Sequence, residues 1–121
     1  MDDDQQDDVV IVGPCAAGKS TLTKGLRSHG FKARAIAQEH SGVTHLWRKN
    51  NAKFMIYLDV DLPSVHRRGR PNFPAWIHET QKQRLSQARQ AADLYINTVD
   101  LAIADVLTTA LNFLAQRGTL G

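Results

Sequence analysis

One cysteine, Cys15, stands in 121 residues, which excludes an internal disulfide and points to a reduced, intracellular setting. No apolar run approaches the roughly 18 residues that a membrane helix needs, so no spanning segment is expected. The five histidines show no paired spacing of the kind a zinc site uses. Aliphatic, charged and glycine contents are ordinary for a globular chain, which argues against a disordered or fibrous protein. The first eight residues, MDDDQQDD, have neither the basic start nor the apolar middle of a signal peptide. They are expected to be a disordered acidic tail (1–8), followed by a single domain over 9–117, soluble and cytoplasmic.

Charge is uneven once that tail is set apart. Five of the twelve acidic residues fall in positions 2–8, so fifteen Lys and Arg face only seven Asp and Glu from residue 9 onward. A basic body suits a polyphosphate ligand. Its basic residues are scattered and not interleaved with aromatics, which argues against nucleic acid as the partner.

The most specific feature is Gly13-Pro14-Cys15-Ala16-Ala17-Gly18-Lys19-Ser20, with Thr21 behind it, matching G-x-x-x-x-G-K-[ST]. The apolar run Val9–Val12 precedes it, and a helical pattern from Lys19 to His29 follows, with Leu22 and Leu26 one turn apart and Gly30 placed to end it. Glycines at 13 and 18 let the backbone turn tightly and bring N–H groups against phosphate oxygens. Lys19 can reach the β- and γ-phosphates, Ser20 can ligate Mg²⁺ and Thr21 can reach the α-phosphate. The helix start turns its positive end toward the anion.

Further strands are expected at Lys32–Ala37, Phe54–Asp59 and Leu94–Ile96. Helices are expected at Val43–Asn50, about Phe73–Ala92, and Leu101–Gln116, the last capped by Asp100 and ended by Gly118. Strands alternating with helices argue for a three-layer α/β/α domain with a mostly parallel sheet. Asp59, after four apolar residues, has the pattern of a metal-side carboxylate, and Glu39, just past Ala35-Ile36-Ala37-Gln38, is its rival. Asp61 reads as a turn or cap residue. Cys15, near a helix N-terminus, reads as a small loop residue.

The loop is the Walker A signature of the P-loop NTPases, and the chain resembles the small P-loop kinases, of adenylate or shikimate kinase type, or an AAA-type domain in reduced form. Phe54–Asp61 looks like their strand before the lid, Arg67-Arg68-Gly69-Arg70-Pro71 like the arginine-bearing lid, and Ala92–Thr98 like their last strand. The resemblance implies ATP or GTP with Mg²⁺, and phosphoryl transfer to an unknown small metabolite or nucleotide. Lys19, Arg67, Arg68 and Arg70 would be the catalytic cations and Arg84 a further candidate. His40, His45 and Trp47 would line the second-substrate side, and Asn97-Thr98-Val99 the adenine end. The stretch from Glu39 to Lys53 is short for an acceptor pocket. A nucleotide-binding regulatory or assembly module with weak hydrolysis is the alternative.

Overall fold

The computed structural model describes residues 7–40 and 52–117. Strand β1 (Val9–Val12) is buried on both faces, as its unbroken β-branched sequence requires. It leads through the glycine-rich loop into α1 (Lys19–Ser28), which stops where Gly30 adopts φ 90°. Strand β2 (Ala33–Ala35) is shorter than expected and passes into a single 3-10 turn, Gln38–His40. Strand β3 (Phe54–Asp59) has the expected bounds. Helices α2 (Leu62–Arg67), α3 (Ala75–Arg84) and α4 (Ser86–Ala91), strand β4 (Leu94–Asn97) and helix α5 (Ile103–Gln116) follow.

Among the described residues the four strands are parallel, in the order β2-β1-β3-β4. The chain leaves β1 toward one edge and returns to build the other, so the crevice at the carboxyl ends of β1 and β3 is a topological switch point, where open α/β sheets bind ligands. Period-2 alternation divides the core. Val9, Ile11, Ile56 and Leu58 pack under α1 and α5 with Leu22, Leu26, Val106, Ala110 and Leu114. Val10, Val12, Met55 and Tyr57 face the other way, against Leu85 and Ala88. The α/β/α sandwich anticipated from the pattern is therefore present.

Several expectations are corrected. The long helix over Phe73–Ala92 is two helices meeting at Leu85, whose N–H is shared between the carbonyls of Gln81 and Lys82. Its sequence is polar on most faces. The break lets fully buried Leu85 and Ala88 both reach the sheet. The segment before the lid forms helix α2, capped by Asp61, whose carboxyl accepts the Ser64 N–H at 2.9 Å. Hydrogen bonds from Ser64 hold that carboxyl below its ordinary pKa. Helix α5 is capped by the backbone of Ala102 and not by Asp100. Asp7 and Asp8, assigned to the tail, bond into the domain: Asp7 takes Arg34 Nε at 3.0 Å and Asp8 accepts the Lys32 N–H at 2.8 Å. The helix expected at Val43–Asn50, with His45 and Trp47, and the stop at Gly118 lie outside the described residues. No described helix is long and apolar enough to cross a membrane.

Candidate functional site

The loop between β1 and α1 lies against the end of β3. A Cβ on Gly13 would stand 2.3 Å from the Leu58 carbonyl oxygen, so only glycine fits between the two strands there. Ala16 adopts φ 66° and Gly18 φ 100°, left-handed conformations that curl the backbone. A Cβ on Gly18 would meet nothing within 4 Å, so the loop opens to solvent at this point. Gly18 caps α1 without a side-chain hydrogen bond, and the first N–H groups of a helix have no partner within it. Backbone donors, a helix-dipole end and open space coincide, and the residues fit a phosphate chain.

Lys19 is folded back onto its own loop. Its Nζ donates to the Gly13 carbonyl at 2.7 Å and the Pro14 carbonyl at 3.1 Å, and pairs with Glu39 Oε2 at 2.8 Å. The side chain of Glu39 is 4% exposed, and its Oε1 has no hydrogen-bond partner among the described residues. Ser20 and Thr21 lie exposed at the start of α1. Asp59, the other carboxylate singled out by the sequence, is more fully engaged. Its Oδ1 accepts the Val60 N–H at 2.9 Å and sits 3.6 Å from Lys82 Nζ, and its Oδ2 accepts the Tyr95 hydroxyl at 2.5 Å. The Tyr95 ring stacks on Tyr57 and lies under the Arg89 guanidinium. Burial and the Asp59 bond raise the Tyr95 pKa.

The three lid arginines separate. Arg68 donates to the Ala16 carbonyl at 2.8 Å and to Thr98, joining the loop to the end of β4. Arg70 lines the neighbouring cavity and lies over the Phe73 ring. Arg67 bonds its helix neighbour Ser64 at 2.8 Å and is not among the cavity-lining residues. His66 Nε2 bonds the Phe73 carbonyl at 2.9 Å and ties down the lid loop. Arg84 reaches the Glu39 carbonyl at 3.3 Å, so it supports the acid from behind.

Beside the loop lies a cavity of about 690 Å³, walled by Gly18, Thr21 and Leu22 on one side, by Arg68 and Arg70 on another, and by Thr98 and the start of α5 on a third. Two of its apolar lining residues, Leu101 and Ile103, are 39% and 70% exposed, unusual for side chains of this size. A planar base would cover them. Of Asn97, Thr98 and Val99, Thr98 lines this cavity, whereas Asn97 accepts the Val99 N–H and neither of these two is in the lining.

Two residues of α3 were missed from the sequence. Gln81, 3% exposed, accepts the Cys15 N–H through Oε1 at 3.0 Å and donates from Nε2 to Cys15 Sγ at 3.2 Å. His78 is buried with Nδ1 unpartnered among the described residues. No local pattern announces either one, because both act across the fold.

A parallel sheet with a glycine-rich phosphate loop at its switch point, a loop lysine and an α1 dipole end defines a P-loop NTPase. The family model of the 50S ribosome-binding GTPases matches residues 8–119, and the chain belongs to that family. A nucleoside triphosphate with Mg²⁺ is accordingly its ligand. The match carries the P-loop assignment and GTP; it does not carry the resemblance to kinases, nor ATP in particular. No curated protein matches the chain.

Proposed function

We propose that the protein is a guanine-nucleotide switch module that binds Mg·GTP and hydrolyses it slowly, the state of its loop being reported through Glu39. The Lys19–Glu39 pair carries this reading. Lys19 must leave Glu39 and two carbonyls to engage a phosphate, so nucleotide arrival releases a buried carboxylate on the turn Gln38–His40. An acid freed in that way is a two-state element that nucleotide binding biases.

In the bound state, loop N–H groups and Lys19 cradle the phosphates, and Ser20 with Glu39 holds Mg²⁺ or its water shell. Glu39 is favoured over Asp59 because one of its oxygens lacks a partner, while both oxygens of Asp59 are engaged. Arg68 and Arg70 close the nucleoside side. Mg²⁺ supplies charge neutralisation between the phosphates. Asp100 stands in sequence between the cavity residues Thr98 and Leu101, and a carboxylate there suits the adjacent N–H donors of guanine.

Calorimetric titration with GTP and ATP tests the reading. Binding of Mg·GTP, lost in Lys19→Ala, and a preference for GTP reduced in Asp100→Ala are expected. Unchanged GTP affinity in Lys19→Ala overturns it. GDP release accelerated by a small acceptor replaces the switch with the transfer expected from the kinase resemblance.

The family description and the basic body favour one second reading, association with the large ribosomal subunit. Co-sedimentation with 50S particles that weakens steeply with salt supports it, and its absence at moderate salt removes it.

A further inference from the structure

Cys15, Glu39 and His40 belong to three different local settings: the phosphate loop, the buried end of the 3-10 turn and its exposed rim. One ligand atom from each lies within 4.8 Å of the others. Cys15 Sγ is 3.7 Å from His40 Nε2, which in turn is 3.6 Å from Glu39 Oε2. Metal bonds of about 2.3 Å to sulfur and about 2.0–2.2 Å to nitrogen and oxygen give tetrahedral edges of roughly 3.3–3.6 Å. The His40–Glu39 edge lies at the top of that range and the Cys15–His40 edge is 0.1 Å beyond it.

A second observation, on the buried member of the cluster, is the unpartnered Glu39 Oε1. A carboxylate side chain 96% buried with one oxygen unsatisfied is costly unless something binds it. Lys19 pairs with Oε2, the same oxygen that lies 3.6 Å from His40 Nε2, which leaves Oε1 as the carboxylate's spare ligand atom.

We propose that Cys15 Sγ, Glu39 and His40 Nε2 form a site for a borderline-soft divalent transition metal, Zn²⁺ in particular, at the rim of the phosphate loop, with water completing the tetrahedron. The donor set selects against Mg²⁺, which demands oxygen ligands, and for zinc, which accepts thiolate, imidazole and carboxylate together. The thiol proton passes to solvent on binding. The sulfur is already oriented by the Gln81 Nε2–H and the carboxylate by Lys19, as outer-shell partners orient metal ligands. This site shares Glu39 with the Mg²⁺ shell proposed for the nucleotide-bound state and adds Cys15 and His40, which the proposed switch does not need as ligands, so it belongs to the nucleotide-free protein.

Co²⁺ is the probe, because thiolate ligation gives a near-ultraviolet charge-transfer band. Titration of the nucleotide-free full chain in Mg²⁺-containing buffer is expected to develop that band up to one equivalent, with Zn²⁺ then displacing it. Cys15→Ser is expected to abolish the band. His40→Ala, at a side chain 58% exposed, and Glu39→Gln are each expected to weaken metal affinity at least about tenfold. Circular dichroism of each variant confirms the fold. Absence of the band, its loss to millimolar Mg²⁺, or unchanged affinity in a folded His40→Ala protein overturns the proposal. None of these results depends on GTP binding, so the switch stands or falls separately.

Discussion

Arg68 grips Thr98 with both terminal nitrogens, Nη1 donating to the hydroxyl at 3.1 Å and Nη2 to the carbonyl at 2.6 Å. The same Nη1 donates to the Ala16 carbonyl, so one side chain from the lid holds the phosphate loop and the end of β4 together. The cavity between these elements depends on that grip.

Arg68→Ala is therefore expected to weaken nucleotide affinity about tenfold, or about 1.4 kcal/mol. Folding stability changes by less than about 1 kcal/mol, because the side chain is exposed. Arg68→Lys recovers little, since an ammonium cannot fork as a guanidinium does. Calorimetric GTP titration of both variants checks this.

Gly13→Ala places a methyl 2.3 Å from a backbone oxygen of β3, and neither strand can yield without disturbing the parallel ladder. Overpacking of this kind costs about 1–3 kcal/mol. A lower urea midpoint with an unchanged slope is the expected outcome.

Gln81→Leu removes the acceptor of the Cys15 N–H and the donor to its sulfur. An unsatisfied donor in a largely buried place costs about 1–3 kcal/mol. Gln81→Glu keeps the acceptor but buries an unpaired carboxylate, and is expected to lose at least as much. Urea unfolding of the nucleotide-free protein ranks the three.

His78 gives a pH dependence. Burial, and then the Lys82 charge, lower its pKa, while Glu79, Asp59 and Asp61 pull the other way. The unfolded chain takes up this proton more readily than the folded one, so its contribution is intact above the ordinary histidine pKa of about 6.5 and stability falls as pH drops below it. Unfolding midpoints at pH 7.5 and 5.5 should differ in that sense, and His78→Gln should reduce the difference.

Much of the phosphate-binding half was legible because its signals are local. Val9–Val12, the glycine spacing and Lys19 followed by a helical pattern occupy consecutive positions, and Phe54–Asp59 is apolar enough to be buried on both faces. Helix α2 was also within reach: Asp61 with proline at the helix start is an N-terminal signature, but the arginines behind it drew attention to a lid instead. The break at Leu85 was not legible, since it is fixed by where the sheet lies and not by the polar residues around it. Nor was the choice between Asp59 and Glu39. The facts on which the proposed preference for Glu39 rests are the bond from Tyr95, 36 residues away, and the orphaned oxygen of Glu39.

The folded-back posture of Lys19 also sets a tempo. An ammonium held by two carbonyls and a carboxylate must detach before a phosphate can take it, so the competent loop is expected to be a minor population of the empty protein, lowering the apparent affinity by that fraction. Association should accordingly level off at high GTP concentration, its ceiling set by how often the lysine lets go.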